Sequence, residues 1–129
     1  MERRHITSGS PWEAQIGFCR AVRLGDRVLV SGTGPIWPDG SCARDAATQA
    51  RRCLEIIGQA LRDAGAGLDD VVRTRIFLTS GADADAVGGA HVEVFKEIRP
   101  ASTIVVVAGL LDPRWKVEIE AEAQLAADP

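Results

Sequence analysis

Apolar and polar positions alternate most strictly near the C-terminus. From Trp115 to Gln124, Trp115, Val117, Ile119, Ala121 and Ala123 fall on one side, and Lys116, Glu118, Glu120, Glu122 and Gln124 on the other. A period of two predicts a strand with one buried face and one carboxylate-rich face. Before it, Arg99-Pro100-Ala101-Ser102-Thr103 opens the apolar run Ile104 to Ala108, which predicts a strand that is apolar on both faces. Near the N-terminus, Phe18 to Leu24 and Arg27 to Ser31 read as two strands. Gly25-Asp26 joins them as a two-residue hairpin turn, with glycine supplying the positive φ. A further strand runs from Val71 to Thr79.

Two segments change period. Asp45 caps a helix to about Ala64, with apolar residues at Ala46, Ala50, Cys53, Leu54, Ile57, Ala60 and Leu61, and Gly65 as its stop. Asp83 or Asp85 starts a second helix to about Ile98, with Val87, Ala90, Val94 and Ile98 on one side. Gly88 and Gly89 lie inside it, each costing about 1 kcal/mol relative to alanine, and close approach of the helix to the sheet is the expected return. Ser8-Gly9-Ser10-Pro11 reads as a loop. The order β-β-α-β-α-β-β predicts an α+β fold: one mixed sheet, parallel across the strand–helix–strand crossovers, with antiparallel hairpins at both ends and both helices on one face. The other face, together with the doubly apolar Ile104–Val107 segment, then needs a cover, most simply another subunit.

Composition narrows the function classes. The 129 residues fit a single domain, residues 1–129, large enough to fold without a staple. A net charge of −3 argues against a nucleic-acid partner. No apolar run approaches the ~20 residues of a membrane span. Met1-Glu2-Arg3-Arg4-His5 lacks the apolar core of a signal peptide, so a cytoplasmic protein is expected. Cys19, Cys42 and Cys53 match neither zinc spacing nor a redox pair and read as reduced thiols. With His5 and His91 as its two histidines, the chain offers no histidine-built metal site. Gly32-Thr33-Gly34 is not a dinucleotide fingerprint, because Trp37 stands at the third glycine position and no helix begins there. Ser31 and Ser102 lack His/Asp partners in sequence for a triad.

Several short pieces, in order, resemble the RidA/YjgF family. They are Ile16-Gly17, Leu24-Gly25-Asp26, Ser31-Gly32-Thr33-Gly34-Pro35, Gln49-Ala50-Arg51, Asp70-Val71-Val72-Arg73-Thr74, Pro100-Ala101-Ser102-Thr103 and Glu118-Ile119-Glu120-Ala121. The resemblance implies a chorismate-mutase-like α+β domain that forms homotrimers with ligand clefts between subunits. It implies no metal and no organic cofactor. Deaminating members hydrolyse 2-imino acids, such as 2-iminobutanoate and 2-iminopropanoate, to 2-oxo acids and ammonia. In them an arginine after Pro-Ala grips the substrate carboxylate, and a glutamate directs water to the imine carbon. The family's endoribonuclease (L-PSP) label finds no physical support in an acidic chain without a basic cluster.

Carried over residue by residue, Glu118 matches the catalytic glutamate, and Gly32 and Thr103 match cleft-lining positions. Ser102 replaces the arginine, Thr33 replaces a glutamine, and Cys19 stands where a cleft tyrosine is common; the chain has no tyrosine. Serine offers one neutral donor in place of a charged fork of five, so a substrate other than the usual small 2-imino acids is expected. Arg75 is a candidate to supply the charge from elsewhere. It shares a face with Arg73 and Phe77, where ion pairing with the Glu118/Glu120/Glu122 row explains it equally well. Trp12, in Ser10-Pro11-Trp12-Glu13, either anchors a terminal loop or walls a cleft against a planar ligand. Two functions stay open: an imine or enamine deaminase using Glu118, and a non-catalytic trimer that binds a small metabolite between subunits.

Overall fold

The structure, a computed structural model, describes residues 2–126. Met1 and residues 127–129, the ends of the domain expected over residues 1–129, lie outside the described residues. The elements are β1 (Arg3–Ile6), α1 (Pro11–Ile16), β2 (Ala21–Leu24), β3 (Arg27–Thr33), α2 (Ala46–Asp63), β4 (Val71–Leu78), α3 (Ala84–Phe95), β5 (Ala101–Val106) and β6 (Val117–Gln124). The α+β class is as expected. Two elements are additional. β1 pairs antiparallel with β2 as an edge strand in which Ile6 alone is buried, so its sequence carries no alternation. α1 replaces part of the expected N-terminal loop. The Ser10 side chain accepts from Trp12 N, Pro11 sits in the first turn, and Gly17 at φ 91° ends the helix.

The six strands lie in the order β1-β2-β3-β6-β4-β5. The expected C-terminal hairpin is not formed. β5 pairs in parallel with β4, while β6 runs antiparallel between β3 and β4. The connection from Val107 to Lys116 is longer than a tight turn and lets the chain pass β4. Burial favours that outcome, since Val117, Ile119, Ala121 and Ala123 are all buried and β6 is therefore the strand best suited to the centre.

α2 lies across β3 and β6, with α3 packed beside it. Its N-cap is Asp45, whose carboxylate accepts from Thr48 N at 2.9 Å. Ile57 and Leu61 meet Val28, Ile76, Leu78, Val117 and Ile119 in a fully buried core. Each such side chain contributes roughly 1.5–3 kcal/mol by leaving water. Gln49, also fully buried, fastens the start of α2 to the segment before β6. Its amide donates to Ala43 O at 2.7 Å and Arg114 O at 2.9 Å and accepts from Lys116 N at 2.7 Å. Gly88 and Gly89 do not bring α3 close to the sheet. A Cβ at either position would meet nothing within 4 Å.

Candidate active site

β6 places Glu118, Glu120 and Glu122 in a row on the sheet face away from α2. β4 sets Phe77, Arg75 and Arg73 opposite them, in that order. Arg75 Nη1 lies 2.7 Å from Glu120 Oε1 and 3.7 Å from Glu122. Arg27 lies 3.0 Å from Glu122, and Arg73 3.9 Å. Glu118 faces Phe77 instead and makes no ion pair or hydrogen bond among the described residues. Burial pushes its carboxyl above the ordinary range, with Arg20 opposing and Glu120 adding to the rise. An unpaired, half-buried carboxylate with a raised pKa has the properties of a general base or acid; a paired one does not.

The backbone under Glu118 is shaped for it. The β3–β6 register slips between Val30 and Thr33, so Ser31 and Gly32 form a bulge. A Cβ on Gly32 would stand 3.1 Å from Glu118 Oε2; glycine lets the carboxylate lie on the strand. Two residues on, a Cβ on Gly34 would collide with the Trp115 ring at 2.5 Å. The Gly32-Thr33-Gly34 segment thus serves two close approaches from the residues around the start of β6.

The remaining candidates separate. Thr33 is buried, donates to Ser31 O at 2.8 Å and accepts from Arg20 Nη1 at 2.9 Å. Cys19 Sγ lies 3.3 Å from Ala21 O, and the Cys19 carbonyl accepts from Ser31 Oγ at 2.7 Å. Thr103 is exposed and in register with Arg75 on the glutamate face. Ser102 is in register with the buried Thr74 on the opposite face, and its Oγ accepts from Thr74 Oγ1 at 2.8 Å. Thr74 Oγ1 in turn lies 2.9 Å from His91 Nε2. Within one chain, therefore, Ser102 and Glu118 are on opposite sides of the sheet. Trp12 sits in α1, with its ring 6.5 Å from that of Trp115. It lines a groove of about 1130 Å³ on the helix side that does not reach Glu118. On the glutamate face a depression of about 190 Å³ lies among Leu29, Arg73, Arg75, Glu120 and Glu122. That is below the ~300 Å³ of a small-ligand pocket, so this face needs a further wall to enclose a ligand.

Sequence reasoning missed Arg20. It is 7 % exposed and donates from Nη1 to Gly32 O at 2.7 Å as well as to Thr33. A charge in strand-like surroundings reads as surface, and nothing in the one-dimensional pattern marks this one as buried. Among the described residues no three His, Cys, Asp or Glu side chains are grouped as metal ligands would be.

The model of the family described as Endoribonuclease L-PSP matches residues 9–125. The chain belongs to this family, that of the RidA/YjgF proteins. It is 42% identical over 125 residues to the uncharacterized protein SCO2049 of Streptomyces coelicolor, covering 96% of this chain and 93% of that one. It is 37% identical over 110 residues to the 3-aminoacrylate deaminase RutC of Acinetobacter baylyi, covering 84% and 86%. The crystal structure of Rv2704 from Mycobacterium tuberculosis, a YjgF/YER057c/UK114 family member, superposes with a TM-score of 0.89 at 42% identity, covering 96% of this chain and 100% of that one. No helix among the described residues is long and apolar enough to cross a membrane.

Proposed function

We propose that this RidA/YjgF protein is a cytoplasmic imine or enamine deaminase that works without a cofactor in clefts between the subunits of a homotrimer. The observation that carries the reading is Glu118: of three glutamates in one row, it alone is left without a partner among the described residues, and it lies on a glycine bulge. In the reaction Glu118 takes a proton from water as the oxygen attacks the C=N carbon. The resulting carbinolamine collapses to a carbonyl as the protonated nitrogen leaves as ammonia. The 37% identity to a 3-aminoacrylate deaminase supports this class of chemistry.

Two features support clefts between subunits. Ser102 and Glu118 lie on opposite faces of one chain, so a site that uses both takes them from two copies. β5 is exposed along its whole length, with Ile104, Val105 and Val106 at 44%, 40% and 59%, which leaves an apolar edge strand in need of a neighbour. In such a cleft Gly32 and Thr103 form walls, and Thr33 and Cys19 hold the bulge from behind. Ser102 offers a hydroxyl, not a guanidinium. Arg75 is already committed to Glu120 and does not replace the missing charge. Losing a charge-assisted fork costs about 1.5–3 kcal/mol, or at least tenfold in affinity. The substrate is accordingly one whose recognition does not depend on a carboxylate clamp.

Ser102 also favours a second reading, a trimer that binds a small metabolite without turnover. Hydrolysis of freshly generated 2-iminobutanoate, 3-aminoacrylate and a carboxylate-free imine, by wild type and Glu118→Ala, separates the two. A wild-type rate above the spontaneous one that is lost in the variant supports the deaminase. A spontaneous rate throughout, with ligand binding retained, supports the binding protein.

A further inference from the structure

Arg20 is a buried cation to which the mechanism above gives no role. It reaches from the segment before β2 to the inner side of the β3 bulge. There Nη1 donates to Gly32 O at 2.7 Å and to Thr33 Oγ1 at 2.9 Å. Its Nε is buried without a hydrogen-bond partner among the described residues. The nearest carboxylate, Glu13 Oε2, is 4.0 Å away and is itself held by Ser8 N and Ser8 Oγ. The Phe18 ring covers the guanidinium at 5.4 Å. Burying a guanidinium this poorly paired is expensive, and a neutral donor would satisfy Gly32 O as well. What a neutral donor lacks is the charge. Gly32 is the residue on whose other side the Glu118 carboxylate rests, with no Cβ between them.

We propose that Arg20 is the positioning residue of the site: it clamps the Ser31–Thr33 bulge from within and presents a fixed positive charge to Glu118 across Gly32. The proposal rests on the reading of Glu118 as the reacting carboxylate. The charged and titratable groups around Glu118 are Arg20 behind the bulge, Glu120 beside it on β6, and the Cys53 thiol of α2 beneath the sheet. Arg75 on β4 is engaged by Glu120. Arg20 is thus the cation that opposes the effect of burial on Glu118, keeping the carboxylate available as a base while desolvation makes it a stronger one.

The test is a carbon-13 NMR titration of the Glu118 carboxyl, assigned by its loss in Glu118→Gln, in wild type, Arg20→Gln and Arg20→Lys. Arg20→Gln keeps a donor for Gly32 O and removes the charge, so the Glu118 midpoint rises by about one pH unit. Arg20→Lys keeps the charge and leaves the midpoint near wild type, while the amide resonances of Ser31–Thr33 move. An unchanged midpoint in folded Arg20→Gln, or an equal rise in Arg20→Lys, overturns the proposal. Should Arg20→Gln not fold, Arg20→Met supplies the measurement. It removes the charge and fills the same buried space with an apolar side chain. The Glu118 midpoint then rises if Arg20 acts on it, and an unmoved midpoint overturns the proposal. The titration requires no turnover. A Glu118→Gln enzyme as active as wild type would remove the catalytic reading and leave the Arg20 coupling to be read on its own.

Discussion

The two faces of the central sheet are built from the same three strands and follow different rules. On the inner face Val28, Val30, Thr74, Ile76, Leu78, Val117, Ile119, Ala121 and Ala123 are all buried, and the covering helix α2 meets them with Ile57 and Leu61. On the outer face the same strands present Leu29, Arg73, Arg75, Phe77 and three glutamates, all half-buried or exposed, with the charges largely paired to one another. The inner face holds the fold together through area removed from water. The outer face contributes little to stability, because exposed ion pairs are screened and floppy, and is free to carry chemistry. The comparison breaks most directly at Ile119, which is fully buried on β6 between Glu118 and Glu120. Ile119→Ala should cost about 2–5 kcal/mol in urea unfolding. Arg75→Ala, one register step away on the other face, should leave the midpoint close to wild type. A comparable loss from both would mean that the outer face is also a core, filled by another subunit.

The next largest effect belongs to the strand where the two faces cease to differ. β5 is exposed on both, and its apolar residues have no cover among the described residues. Val106→Glu should therefore convert the assembly to a smaller species in sedimentation velocity while far-ultraviolet circular dichroism stays native. A variant that sediments as wild type would show that β5 is not the interface.

A subtler difference is pH. Glu118 is held above the usual carboxylate value of 4.5, chiefly by burial. A carboxyl whose folded value is raised binds its proton more tightly in the native state. The associated stability is full below the unfolded value and is lost as pH rises through the folded one. Glu118→Gln has no such loss. The urea midpoint of the variant should match wild type at low pH and exceed it at neutral pH, with the gap opening as pH rises from the ordinary carboxylate value. A gap that closes as pH rises would reverse the sign and place a net cation, not burial, in control of Glu118.

What the sequence disclosed follows the same division. The alternation in β6 revealed both its buried row and its carboxylate row, and Asp45 with its apolar period revealed α2, because both are local patterns enforced by water. Strand order is not local. The position of β6 between β3 and β4 depends on which strand can be covered on its inner face, and a hairpin between β5 and β6 reads equally well along the chain. β1 carries three polar residues and one buried Ile6, so it has no period to read. α1 did leave a trace in Ser10-Pro11-Trp12-Glu13, the spacing of a helix N-terminus, although Glu13 turns to Ser8 and Arg20 and not to its own cap. At the site, Glu118 and Gly32 are legible as residues. Their contact and the partnership of Glu120 with Arg75 arise only when β6 enters the middle of the sheet, and the burial of Arg20 only when α1 and the β3 bulge close around it.

The smallest effect tests α3 against α2. The mid-helix glycine of α2, Gly58, is buried, and a Cβ there would stand 3.3 Å from Arg62 Nη1 and 3.4 Å from Leu68. α3 carries Gly88 and Gly89 in mid-helix, where a Cβ would meet nothing within 4 Å. Neither glycine has a positive φ, so alanine fits the backbone they already adopt. Their expected use, close packing on the sheet, is absent, and the conformational cost stands without a visible return. If only water lies beyond them, Gly88→Ala and Gly89→Ala should each raise stability by about 1 kcal/mol in urea unfolding, additively and without changing the sedimentation coefficient. If the gain is missing and assembly weakens, the glycines are where a neighbouring copy comes close, and α3 joins β5 as a surface shaped by the oligomer and not by the chain's own core.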